Sequence, residues 1–214
     1  KVLEANEVVA FGRLRLTVTS GDGPLGSERS NAKPTLVVSI SHQSIWPDNT
    51  SALVVPWARN EKSPLVGLKT TSYAENVFAL DAAKRHGFSE ALFCDTTGRL
   101  CEGTGTNVFL ISGGIVSTPS EASGLLRGIT RDLVIEWARA DGFKVTERDI
   151  DPAELWEADE VFITSSTRDV HPVTKLARLD LTGQVNKQRD IAPGLTTKKL
   201  GTLFKYNRSK VRNP

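Results

Sequence analysis

The sequence contains no methionine, two cysteines and three histidines among 214 residues, and each scarcity removes a class of chemistry. Cys94 and Cys101 form no Cys-x-x-Cys pair, and His42, His86 and His171 are scattered, so no metal-ligand spacing is present. Two cysteines in a chain of this size predict reduced thiols in a cytoplasmic protein, which makes the sequons at Asn49 and Asn207 chance matches. No apolar run approaches the ~20 residues of a membrane span, and no signal-peptide pattern opens the chain. Internal repeats and low-complexity stretches are also missing. The absent methionine predicts that a preceding segment is lacking, because Lys1-Val2-Leu3-Glu4-Ala5-Asn6-Glu7 reads as the end of a helix.

What is present is ordinary for a soluble protein: 39% apolar and 24% charged residues, enough for one large domain or two small ones. The formal charge of +2 hides an asymmetry. Lys198, Lys199, Lys205, Arg208, Lys210 and Arg212 follow Ile191 with no acidic residue among them, which leaves the rest of the chain net acidic. Leu195, Leu200, Leu203 and Phe204 recur there at helical spacing. The segment therefore reads as a docked terminal helix with a solvated basic face. With no aromatic platform beside it, neither a nucleic-acid nor a membrane partner is expected.

Alternation at Leu14, Leu16 and Val18 predicts a half-buried strand over 13–19, with 36–40 as its antiparallel neighbour. Gly21-Asp22-Gly23-Pro24-Leu25-Gly26 matches the spacing of a dinucleotide fingerprint. That motif must open a helix, whereas here a proline and a polar loop lead to another strand, so it is a hairpin loop. A polar linker follows over 42–50. Beyond it come a buried strand over 52–57, a loop over 58–64, and a helix whose inner face is Tyr73, Val77 and Leu80 and which stops at Gly87. Strands are expected over 91–94, 107–111 and 115–117, the last two joined across Gly113-Gly114. A helix with inner residues Ile129, Leu133 and Trp137 stops at Asp141-Gly142, and strands follow over 144–148 and 161–164. The pattern predicts an α/β (α+β) large domain over 51–214, preceded over 1–41 by part of a smaller domain.

Four features carry chemistry. Lys69 is expected at a strand end, just before a helix, where an inward lysine costs stability unless it has a reaction to perform; a nucleophilic lysine must be partly neutral near pH 7. Glu102 lies in a loop rich in glycine and threonine that leads into a strand, and Gly103 and Gly105 permit close backbone approach to a ligand. Gly128-Ile129-Thr130-Arg131 opens a helix whose first-turn amides and dipole suit a phosphate. Thr164-Ser165-Ser166-Thr167 ends a strand with small hydroxyl donors. Taken singly, these are also a solvated lysine, a turn glutamate, a helix cap and a polar turn.

In order and spacing together, Lys69 to Asn76, Glu102-Gly-x-Gly-x-Asn107, Gly128-Ile129-Thr130-Arg131 and Glu160 to Pro172 resemble the class IV, fold-type IV pyridoxal-phosphate enzymes. These are the branched-chain and D-amino-acid aminotransferases and the aminodeoxychorismate lyases. The resemblance implies a two-domain protein with a large pseudo-barrel domain, a partial small α+β domain and pyridoxal 5'-phosphate as cofactor. It implies that Lys69 forms the Schiff base and carries the proton, and that Glu102 pairs with the pyridine nitrogen, which makes the ring an electron sink. Leu126, Gly128, Ile129 and Thr130 would hold the phosphate, with Ser166 as a further hydroxyl donor and Tyr73, Gly105 and Asn107 beside the ring. Thr167 and Arg15 would meet the substrate carboxylate. Ser20-Gly21 stands where D-amino-acid aminotransferases and many of the lyases carry Arg-Gly, and argues against the D-amino-acid specificity.

The function implied is amino-group transfer between an amino acid and a 2-oxo acid in a homodimer. The alternatives are a lyase releasing 4-aminobenzoate and pyruvate in folate synthesis with the same residues, and a non-catalytic binding protein on this fold.

Overall fold

A computed structural model describes residues 2–6, 11–28 and 31–211. They divide into two compact units, Lys1–Trp46 and Pro47–Pro214. In the first, β1 (Gly12–Thr19) pairs antiparallel with β2 (Thr35–His42), placing Leu14, Leu16 and Val18 opposite Ile40, Val38 and Leu36. The expected half-burial is not found within this unit: Leu14, Leu16 and Val18 are exposed, since two strands alone have little to close over. The Gly-x-Gly stretch lies in the connection between them. Gly21 has φ 83°, and a side chain there would begin 2.2 Å from the Lys33 carbonyl oxygen. Residues 2–5 of the expected helix end form a turn; residues 1 and 7 lie outside the described residues.

The second unit is built on a nine-stranded mixed sheet. Its members are β3 (Thr50–Arg59), β4 (Glu90–Asp95), β5 (Leu100–Gly103), β6 (Asn107–Ser112), β7 (Ile115–Pro119), β8 (Val145–Arg148), β9 (Glu160–Ser165), β10 (Asp169–Leu179) and β11 (Val185–Asp190). The order is β5-β4-β3-β10-β9-β6-β7-β8, with β11 paired to β10. β3 runs parallel to both β4 and β10, and β7 parallel to β8; the remaining ladders are antiparallel.

Strand alternation divides the core. Ala52 and Val54 of β3, Val108 and Leu110 of β6, and Val161 and Ile163 of β9 share one cluster with Leu176. Their odd-even partners point the other way. Leu53 and Val55 meet α1 (Ala74–Arg85) through Ala79 and Ala83. Phe109 and Phe162, stacked with ring centroids 4.6 Å apart, meet α2 (Ile129–Ala140) and α3 (Leu195–Val211) through Val134, Ile135, Leu200 and Phe204. Strands buried on both faces read as continuous apolar runs rather than clean alternations, which suits Ala52–Val55 and Val108–Ile111.

Both inner helical faces differ from expectation. In α1 the buried residues are Asn76, Ala79, Ala82 and Ala83, while Val77 and Phe78 are exposed. Small alanines let the helix sit close on β3 and β4, and this outweighs the larger side chains. In α2 the buried residues are Thr130, Arg131, Val134, Ile135 and Ala138; of the expected face, Leu133 and Trp137 are partly buried against the same core and Ile129 is exposed. The buried stripe is thus turned about one residue, ~100°, from the apolar triad. The basic segment does form a docked helix, although Leu195 at its start is exposed.

Candidate active site

A cleft of ≈ 620 Å³ opens on the second unit and gathers Lys69, Tyr73, Glu102, Gly105, Asn107, Leu126, Gly128, Ile129, Thr130 and Ser166 along its walls. Two expected residues are not among them. Thr167 occupies the turn one residue past Ser166 without lining the cleft, and Arg15 is exposed on β1 in the other unit, opposite Ser39.

Lys69 is not at a strand end. β3 stops at Arg59, and a turn-rich loop over 60–73 carries Lys69 to the mouth of α1. There its side chain is exposed and its Nζ donates to Tyr73 Oη at 2.9 Å. Tyr73 is the cap residue immediately before α1, so the helix start places Tyr73 and its phenol orients the amine.

Glu102 lies in β5, not in the loop after it, and only 9% of it is exposed. Its Oε2 accepts the Leu126 N–H at 2.9 Å, and the Leu126 carbonyl accepts Asn107 Nδ2 at 2.9 Å. Leu126 is therefore a bridge between Glu102 and Asn107, with its own amide engaged. Burial pushes the Glu102 carboxyl up to about 7; the Leu126 bond and the positive charges of Arg59 and Lys69 act against that rise. The residue is poised to be either a carboxylate or an acid near neutral pH, and a cationic partner would tip it to the carboxylate.

The start of α2 has no side-chain cap. Its first-turn amides at Ile129 and Thr130 stand at the cleft wall, a ready anion site. Gly128 is required by proximity: a Cβ there would begin 2.2 Å from Asn107 Oδ1. Across the wall, the ladder sets Asn107 opposite Thr164. Thr164 Oγ1 is buried, lines the cleft and has no hydrogen-bond partner, and Ser165 and Ser166 continue the hydroxyl row.

Sequence reasoning missed three groups. Arg59, at the end of β3, donates from Nη1 to Asn76 Oδ1 at 3.2 Å, stands 3.6 Å from Glu102 Oε1 through Nη2, and lies over the Phe93 ring at 4.5 Å. Its Nε and Nη2 are buried without hydrogen-bond partners. Asn76 also donates to the Thr104 carbonyl at 2.6 Å. Glu90, 3% exposed, accepts from the N–H and hydroxyl of Thr104 and from the Thr106 hydroxyl, pinning the loop between Glu102 and Asn107. The available signal was a charged residue at each end of an apolar run: Arg59 closing one strand and Glu90 opening the next. The thiols are no part of this chemistry, since burial raises Cys94 to about 11 and Cys101 to about 12.

An exposed amine, a buried carboxylate, an uncapped helix start and an orphaned hydroxyl are complementary to a phosphorylated pyridine aldehyde, whose nitrogen, phosphate and carbonyl would satisfy them. The class defined by fold and cleft is that of the pyridoxal-phosphate enzymes. The chain matches the family described as amino-transferase class IV over residues 1–176, and it belongs to that family.

A candidate branched-chain-amino-acid aminotransferase of Methanocaldococcus jannaschii is 34% identical over 92% of this chain and 67% of its own length. Among solved structures, a candidate 4-amino-4-deoxychorismate lyase of Legionella pneumophila superposes with TM-score 0.81 at 26% identity, over 92% of this chain and 70% of that one. An aminotransferase of Brucella abortus bound to pyridoxal phosphate gives TM-score 0.79 at 26% identity, over 91% and 68%. The chain spans about half to two thirds of the length of the Methanocaldococcus relative and of a branched-chain-amino-acid aminotransferase relative from Synechocystis. Among the described residues, no helix is long and apolar enough to cross a membrane.

Proposed function

We propose that this chain carries the cofactor-binding part of an aminotransferase that moves an amino group between an amino acid and a 2-oxo acid. The observation that carries the reading is the convergence of Lys69 and Glu102 on one cleft whose anion-binding end is uncapped. Bound pyridoxal phosphate supplies the aldehyde that takes up an amino group and a ring that delocalises the electrons left by a departing α-proton.

In this reading Lys69 attaches the cofactor and moves the proton, with Tyr73 aiming Nζ. Glu102, held by the Leu126 amide and flanked by Arg59, keeps a proton on the ring nitrogen. Ile129 and Thr130, with Gly128 permitting the approach, hold the phosphate together with Ser166. Gly105 and Asn107 shape the wall beside the ring, and Arg15 and Thr167 are the candidates for the substrate carboxylate. The first unit is the C-terminal part of a small domain, joined through 42–50 to the large domain. Leu65, Leu68 and Ile129 are exposed at the cleft and Phe78 is exposed on α1. This apolar rim supports a homodimer, and the reduced thiols support a cytoplasmic setting.

The Legionella likeness supports a second reading, a lyase that uses the same Lys69 and Glu102 to release pyruvate and leave 4-aminobenzoate. Incubation with L-leucine and 2-oxoglutarate, and separately with aminodeoxychorismate, separates the two. Glutamate without 4-aminobenzoate supports the transaminase, and the converse supports the lyase. A protein that gains no visible absorption with pyridoxal phosphate, and no borohydride-stable adduct on Lys69, would sink both.

A further inference from the structure

The basic helix α3 has no part in the reading above, yet it is fastened to the sheet at two points. At its start, Glu160 at the beginning of β9 accepts the N–H groups of Thr196 and Thr197 at 3.0 and 2.7 Å. Twelve residues later, Arg208 Nη1 donates to both oxygens of Asp169, at 2.5 and 2.6 Å. Asp169 pairs with Ser165, the last residue of β9. Twelve helical residues rise about 18 Å and five strand residues about 17 Å, so α3 runs alongside β9, bonded to its first residue and to the β10 residue paired with its last. Leu200 and Phe204 pack beneath it against Phe162, and the Arg208 guanidinium lies 6.0 Å from the Phe204 ring centroid.

Asp169 is also the one non-glycine residue with positive φ among the described residues, at 54°. Glycine reaches that region freely, whereas an aspartate there needs a reason to stay. The turn it closes, with Arg168 N–H bonded to the Ser165 carbonyl at 3.2 Å, is the one that presents Ser165 and Ser166 to the cleft. Arg168 ties the opposite side of the turn to Thr50, Ser89 and His171.

We propose that α3 is a strut for the active site: Arg208, acting through Asp169, is a positioning residue that holds the Ser165–Ser166 hydroxyls at the phosphate end of the cleft. The proposal rests on the reading that Ser166 meets the cofactor phosphate. The test titrates the full chain with pyridoxal phosphate and with pyridoxal, which lacks the phosphate, following tryptophan fluorescence, with circular dichroism melts to confirm folding. Arg208→Gln removes the fastening, Asp169→Gly removes it while keeping the backbone conformation accessible, and Arg208→Lys restores one donor.

The glutamine and glycine variants are expected to bind pyridoxal phosphate about tenfold more weakly, a loss of about 1.4 kcal/mol, with pyridoxal affinity unchanged and the lysine variant intermediate. Folded variants that bind pyridoxal phosphate like the parent, or that lose both ligands equally, overturn the strut. Ser166→Ala is the independent arm. If it leaves the preference for the phosphorylated ligand intact while Asp169→Gly abolishes it, the Ser166 assignment fails and the strut is confined to the rest of the turn, Ser165 included.

Discussion

Replacing Glu102 by glutamine should make the cofactor-free protein more stable above neutral pH while destroying its usefulness. In the folded chain burial lifts this carboxyl from 4.5 to about 7, so between those values the folded state holds a proton that the unfolded state has released. Stability contributed by such a group is greatest below pH 4.5, falls as pH rises, and is fully lost above about 7. At 1.36 kcal/mol per pH unit, the penalty for charging Glu102 in the folded chain is about 3 kcal/mol at pH 8. Glutamine is nearly isosteric, retains an oxygen for the Leu126 N–H, and has no charge to bury. For a chain of this length, about 3 kcal/mol corresponds to a rise in melting temperature of roughly 6–12 °C.

The assay is a pair of thermal melts of cofactor-free protein at pH 4.5 and pH 8. The two proteins should melt alike at pH 4.5 and separate by several degrees at pH 8, with Glu102→Gln the higher. Saturating pyridoxal phosphate should shrink or reverse the gap, because only the carboxylate pairs with a protonated ring nitrogen. A variant no more stable than the parent at pH 8, or one with the same advantage at both pH values, would refute the claim that burial of Glu102 outweighs its Leu126 and Arg59 contacts.

Thr164→Val removes a buried hydroxyl without a partner. The cofactor-free protein should gain up to about 1 kcal/mol in a urea melt, while its pyridoxal phosphate titration weakens. Gly128→Ala sets a Cβ 2.2 Å from Asn107 Oδ1 in a backbone conformation that alanine accepts (φ −74°). The cost of about 1–3 kcal/mol should fall largely away in an Asn107→Ala background, as a double-mutant cycle would show. At Glu160, burial is outweighed by bonds from Thr197 and Thr196, which hold the carboxyl below its usual range. Glu160→Gln should therefore cost about 1 kcal/mol near pH 7, and the difference in urea midpoints should vanish as the pH falls below 4.5 through the lowered folded value.

The parts of the site that could be read from sequence are those in which neighbours along the chain are also neighbours in space. Glu102 to Asn107 and Gly128 to Thr130 each fall within one turn or strand entry, and their spacing survives folding. Arg59 and Glu90 could not be read that way: their partners lie at Glu102, Asn76, Thr104 and Thr106, chosen by sheet pairing and not by sequence distance. β10 escaped notice because Pro172, Lys175 and Arg178 interrupt its apolar pattern, although it pairs with β3, β9 and β11. β11 is polar and largely exposed, so no alternation marks it. In α1 the larger apolar residues drew the expected face, whereas close approach to the sheet selected alanines; in α2 the buried face centres on Val134, Ile135 and Ala138.

A common principle connects the misread and the well-read parts. Three structural carboxylates are well bonded: Glu90 with the Thr104–Thr106 loop, Glu160 with the amides at the start of α3, Asp169 with Arg208. Of the buried polar atoms without a hydrogen bond, Arg59 Nε and Nη2 and Thr164 Oγ1 belong to the cleft, where the raised Glu102 also stands, whereas Arg131 Nε and Thr197 Oγ1 lie outside it. Buried polar atoms without partners cost stability wherever they stand, so a random scatter of them would signal poor packing. The three that stand at one cavity, beside an uncapped helix start, instead mark where the chain is complementary to something outside itself. Glu102→Gln and Thr164→Val examine this from both sides. Each should stabilise the chain alone and weaken its hold on pyridoxal phosphate. A variant that does only the first has removed a packing defect and not a binding group.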